Sequence, residues 1–155
     1  MLFRSLRKVV NRSAHGSWEP TTDRPDPIAI LREQDRNRVP DLVPIRYGRM
    51  SASPFAFFRG SAAVMAADLA ATPVTGISVQ ICGDAHLANF GMYATPERRL
   101  VFDLNDFDET MPGPWEWDLN RLAASFEIAG RSKAYPAGVV STAVREVGRA
   151  YRSEE

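Results

Sequence analysis

The chain of 155 residues has one cysteine, two histidines and two lysines, and it carries no net charge. Each scarcity removes a class of protein. A single cysteine, Cys82, excludes a disulfide framework and a cysteine-based zinc site. It ends an apolar run, so a small buried packing residue is the ordinary reading and a nucleophile the sharper one. Nineteen basic residues balance nineteen acidic ones, so nothing draws the whole chain toward nucleic acid or an anionic membrane. No apolar stretch is long enough to span a bilayer, because Asp68 interrupts the longest candidate. The basic, weakly amphipathic start from Met1 to Gly16 lacks the apolar core of a secretory signal. The expectation is a cytoplasmic protein with neither a nucleic-acid nor a membrane partner.

What is present is enough for one domain with a core. A chain of this length buries roughly 70% of the surface its unfolded form exposes, and 45% hydrophobic residues are ordinary for a globular protein. All the basic residues other than Lys8 and Lys133 are arginines. Arginine suits bidentate contacts to carboxylate and phosphate, although genome composition is the blander and favoured cause of the bias.

Residues 1–25 read as a peripheral arm punctuated by Pro20 and Pro25, with Leu2, Leu6, Val9 and Val10 hinting at a helical turn. The domain proper is expected over 26–155. Asp26 caps a first helix and Pro27 suits its first turn. Val39 to Pro44, with two prolines, should be extended. Ser53 and Pro54 open a longer helix ending before Pro73, with Phe55, Phe58, Ala62, Met65 and Leu69 at steps of three and four. Arg59 on that helix either pairs with a carboxylate or reaches the active site. Residues 77–82 alternate like a strand, and Phe90–Tyr93 and Arg99–Leu104 form a hairpin. Residues 105–115 read as loop, 116–131 as a helix with Leu119, Leu122, Ala123 and Phe126 on one face, and 136–152 as a last helix. The fold class is α+β.

Chemistry concentrates in two loops at one end of the hairpin. One offers Asp84, His86 and Asn89; the other offers Asp103, Asp106 and Asp108. Crowded carboxylates repel unless a cation lies among them, and hard oxygen donors suit Mg²⁺ or Mn²⁺ with phosphate completing the shell. Against this, aspartate is commonly only a turn former or helix cap. The spacing is more specific than the clustering. Asp84 followed five residues later by Asn89 resembles the D-x-x-x-x-N loop of kinase-like enzymes. In that loop the Asp orients or accepts the acceptor hydroxyl's proton and the Asn holds a metal on the phosphates.

The stretch Cys82-Gly83-Asp84-Ala85-His86-Leu87-Ala88-Asn89 also resembles the H-G-D-x-H-x-x-N loop of aminoglycoside phosphotransferases, with Cys82 replacing the leading His. Downstream, Asp106-Phe107-Asp108, Gly113-Pro114 and Asp118-Leu119-Asn120-Arg121-Leu122-Ala123 resemble the second loop of those enzymes. The resemblance makes Asp84 the base, Asn89, Asp106 and Asp108 metal ligands with Asp103 as an alternative, and Asp118 the residue that shapes the loop. His86 and Arg59 remain open between packing or pairing and a substrate or phosphate contact.

From about Asp41 onward the chain resembles the bacterial domain of unknown function 2252 family. The carrying motifs are Arg49-Met50-Ser51 with Ser53-Pro54-Phe55-Ala56-Phe57-Phe58-Arg59-Gly60, then Gly83 to Gly91, then Phe102 to Thr110 running into Trp115-Glu116-Trp117-Asp118-Leu119. The resemblances imply part of a protein-kinase-like fold, a catalytic-loop hairpin packed on helices, in a Mg²⁺-dependent phosphotransferase with ATP as cofactor and an unknown hydroxyl compound as acceptor. A Gly-rich phosphate loop and a strand lysine are missing. Relatives carry them after the region seen here, so the chain is expected to be the N-terminal catalytic half, with its nucleotide-binding half C-terminal. Two other functions compete. A metal-dependent phosphoesterase needs more histidine ligands than His15 and His86 supply, and a kinase-like scaffold binds without transferring.

Overall fold

A computed structural model describes residues 10–152. Its elements are α1 (Pro27–Asp35), α2 (Val43–Met50), α3 (Pro54–Arg59), α4 (Ala62–Leu69), β1 (Ser78–Ile81), β2 (Phe90–Ala94), β3 (Leu100–Leu104), β4 (Met111–Pro114), α5 (Trp115–Ser132) and α6 (Ala137–Arg152). The architecture is mixed α+β. Among the described residues, no helix is long and apolar enough to cross a membrane. The expected helical turn at Leu2, Leu6 and Val9 lies outside the described residues.

Local chemistry sets the helix starts. Asp26 accepts the Ile28 N–H at 3.1 Å, and Ser53 Oγ accepts the Ala56 N–H at 3.0 Å, each followed by a proline in the first turn, where a missing N–H costs nothing. The same rule explains a departure from expectation. Val39 to Pro44 is not extended: Pro40–Leu42 is a 3-10 turn and Pro44 lies in the first turn of α2. The helix expected from Ser53 to Pro73 is two helices. Gly60 closes α3 and turns its carbonyl out to Arg46 Nη2 at 2.6 Å. Ser61 turns its hydroxyl back to the Phe58 carbonyl. A small core of Leu31, Met50 and Val64, with Ile30 and Tyr47 against it, joins α1, α2 and α4.

Residues 105–115 are not all loop. Met111–Pro114 forms β4, antiparallel to β1 with Ile81 opposite Met111 and Ser78 opposite Pro114. Pro112 and Pro114 are two residues apart, so both missing N–H groups fall on the outer edge of the pair, where a strand tolerates them. This ladder has a consequence for the site. Because β4 returns beside β1, the loop leaving β1 and the loop entering β4 run side by side. The β1–β4 pair packs on α5, whereas the hairpin β2–β3 packs extensively only on itself. The strand pair with the larger contact on α5 is therefore β1–β4 rather than the expected hairpin.

Helices α5 and α6 form an antiparallel pair, closed at the far end by Trp115 stacked on Tyr151 at 5.6 Å. The most buried positions of α5 are not its leucines. Glu116, Arg121 and Ser125 are buried, while Leu119 and Leu122 are only half-buried.

Candidate active site

Three polar side chains on one stripe of α5 hold the loop that follows β1. Positions 118, 121 and 125 recur at steps of three and four, so they share a helix face. Asp118 accepts the Cys82 N–H at 2.7 Å and the Gly83 N–H at 3.0 Å. Arg121 Nε donates to Asp84 Oδ1 at 2.5 Å. Ser125, fully buried, accepts the Leu87 N–H at 3.0 Å. A helix surface thus dictates the path of six residues of irregular chain, whose backbone groups would otherwise lack partners.

Gly83 turns the loop with φ +83°. A Cβ there would collide with the Glu109 carbonyl of the neighbouring loop. Gly83→Ala is expected to destabilise the fold by about 2 kcal/mol or more, from left-handed backbone strain plus the clash. Chemical denaturation reads this directly, and a loss below about 0.5 kcal/mol would contradict the close approach of the two loops.

Asp84 is the centre of the site and is 8% exposed. Burial pushes its carboxyl above the ordinary range, Arg121 and His86 oppose this, and the Asp106 charge adds to it. Its second oxygen, Oδ2, lies 3.7 Å from His86 Nε2. The Asn89 amide folds back and donates to the Asp84 carbonyl at 2.8 Å, leaving its own oxygen as an acceptor. Asn105 N–H donates to the Asn89 carbonyl at 3.0 Å and so ties the second loop to the first.

His86 is 2% exposed and lies edge-on to Phe55 at 6.3 Å. Burial lowers its basicity, Asp84 opposes this, and Arg121 and Arg59 reinforce it. Its Nδ1 is buried without a hydrogen-bond partner among the described residues. Arg59 is exposed, within electrostatic reach of His86 but in no ion pair with a described residue.

The acidic residues separate into two groups. Asp106, whose Oδ1 accepts the Asp108 N–H at 3.3 Å, acts on Asp84 through space. Glu109, which the sequence reading passed over, is pushed up by partial burial and by the charges of Asp84, Asp106 and Asp108. Asp103 sits on β3 opposite Gly91, its Oδ1 turned to the Leu104 N–H, and is not among the charges acting on Asp84.

Among the described residues, no three His, Cys, Asp or Glu side chains are grouped so as to hold a metal ion. Mg²⁺ beside phosphate takes only one or two protein oxygens and completes its shell with phosphate and water. The Asn89 oxygen, which its amide hydrogen bond leaves open, and the Asp106 carboxylate are donors of the chemical kind such a site takes.

Cys82 is buried, its Sγ donates to the Asp106 carbonyl at 3.3 Å, and burial pushes the thiol up. That is the setting of a packing residue. A thiol reagent is expected to leave Cys82 unlabelled in the native protein and to label it fully in denaturant. Rapid native labelling would contradict the packing role.

Arg121 and Ser125 carry no role in the motif reading, although they stand three and seven residues after Asp118 on the same helix face. An apolar-walled cavity of about 670 Å³ lies elsewhere, between residues 14–18 of the arm and α3, α4 and α5. Asp84 does not line it.

The fold and site thus define an α+β domain in which a helix-held acidic loop and a second acidic loop meet on a strand pair. The chain belongs to the family described as "Uncharacterized protein conserved in bacteria (DUF2252)", whose profile matches residues 38–154. No curated protein and no solved structure matches it.

Proposed function

We propose that this site is the catalytic loop pair of a kinase-like phosphotransferase, with Asp84 as base and Asn89 and Asp106 as the metal-holding residues. The observation that carries the reading is the joint fixation of Asp84 and Asn89. Asp84 is held by Arg121, Asn89 is tied to the Asp84 carbonyl, and the loop is clamped by Asp118. A reaction that requires charges in fixed positions needs this preorganisation.

In this reading Asp84 Oδ1 is occupied by Arg121, so Oδ2 takes the proton of the attacking hydroxyl. Arg121 fixes the direction of the carboxylate and stabilises its charge, and burial brings its proton affinity nearer to working pH, which favours a general base. Asn89 and Asp106 lie on the two loops that β1 and β4 bring together. Mg²⁺ would supply neutralisation of phosphate charge there. Asp108 and Glu109 keep the second loop strongly negative, which supports a requirement for a cation.

The test is phosphate transfer or release from ATP, with and without a chelator. Nucleotide-dependent transfer that stops on chelation supports the reading. Hydrolysis of simple phosphate esters without nucleotide would replace it with a phosphoesterase. A second reading, a binding scaffold without transfer, is favoured by one observation: the short Asp84–Arg121 bond already satisfies one oxygen of the proposed base. It expects nucleotide binding with no turnover.

A further inference from the structure

The hairpin β2–β3 carries an apolar face that nothing described covers. Its register sets Phe90 opposite Leu104, Met92 opposite Phe102 and Ala94 opposite Leu100, so these six residues share one side. Met92, Leu100 and Phe102 are 66%, 67% and 68% exposed. The stack of Phe90 on Phe102 at 6.2 Å is the main packing on this side. An isolated two-stranded hairpin is marginal in water, and a contiguous exposed apolar patch marks an interaction surface.

The charges at its two ends indicate the partner. At the turn end Arg98 and Arg99 are exposed, with Glu97 beside them, and neither arginine pairs with a described residue. At the other end lie Asp106, Asp108 and Glu109. The turn itself runs from Thr95 through Pro96, closed by the Arg98 N–H on the Thr95 carbonyl at 2.8 Å. Arg98 then takes φ +61°, a position that three-residue hairpin loops ordinarily give to glycine.

We propose that a second copy of this chain covers the hairpin face in a two-fold dimer. A two-fold axis near Met92 and Phe102 stacks the faces with their strands antiparallel. Five-residue strands are about 17 Å long, so the stack carries each copy's Arg98 and Arg99 to the other's Asp108 and Glu109. A face apolar in the middle, positive at one end and negative at the other is complementary to itself under that operation. The interface is independent of the phosphotransferase reading and stands whether or not the loops transfer phosphate.

Sedimentation equilibrium from about 1 µM to about 1 mM tests it. The wild-type chain is expected to dimerise in the micromolar range, more weakly at high salt. Met92→Lys with Leu100→Lys, two exposed positions, is expected to abolish the dimer with unchanged circular dichroism. Arg98→Glu with Arg99→Glu is expected to weaken it about tenfold or more, and adding Asp108→Arg with Glu109→Arg to that variant to restore it. A monomer at every concentration overturns the proposal. A dimer indifferent to the lysine pair, or not restored by the charge exchange, overturns it as well.

Discussion

Arg121→Met is expected to destabilise the chain by about 3–5 kcal/mol, because it strands the Asp84 carboxylate in a buried place. The Arg121 side chain is 3% exposed and that of Asp84 12%. Every face of the guanidinium is used: Nε on Asp84, Nη2 on the Phe58 carbonyl at 2.8 Å, Nη1 against Met65 Sδ, and the plane over the Phe58 ring at 4.3 Å. Methionine fills much of the volume but satisfies neither oxygen. Arg121→Lys keeps the charge and loses the fork, so an intermediate loss is expected. The informative partner is the double variant Arg121→Met with Asp84→Asn, which removes the stranded charge and should recover more than half of the loss. Urea titrations of the three proteins measure this. A single-variant loss under about 1 kcal/mol would mean that the pair contributes little to the fold.

Asp84→Asn is expected to lower phosphate transfer by about 10²–10⁴-fold, the usual contribution of a positioned base. The amide keeps the shape and can still accept from Arg121, but it cannot take a proton. Nucleotide affinity should change little, because this reading gives phosphate binding to Asn89, Asp106 and the metal. The effect therefore belongs in kcat rather than in KM. Part of the variant's stability is lost with the ion pair, so rates are compared well below its unfolding midpoint. An undiminished kcat would remove Asp84 from the chemistry and bring the scaffold reading forward.

The readable parts of the fold were those set by short-range chemistry. Asp26-Pro27 and Ser53-Pro54 announce helix starts, and alternation announces the strands at 78–81, 90–94 and 100–104. The parts not readable depend on partners distant in sequence. Pro112 and Pro114 argue against a strand until β1 is known to lie on their other side. Gly60 ends a helix because Arg46, fourteen residues earlier, takes its carbonyl. In α5 the leucines drew attention as the core face, whereas the buried stripe is Arg121 and Ser125, polar residues that only the loop explains. The candidate site was legible as motifs, Asp84 to Asn89 and Asp106 to Asp108. Asp103 is the alternative in that pattern, and strand alternation turns it to the side of β3 away from Phe102.

The most direct measurement of the central claim, that the two acidic loops form one metal-and-phosphate site, is Mn²⁺ line broadening in the amide spectrum with a nucleoside diphosphate present. The account predicts broadening confined to residues 84–89 and 105–109, and its loss in Asn89→Ala and Asp106→Ala. Broadening centred elsewhere, or unaltered in those two variants, would contradict it.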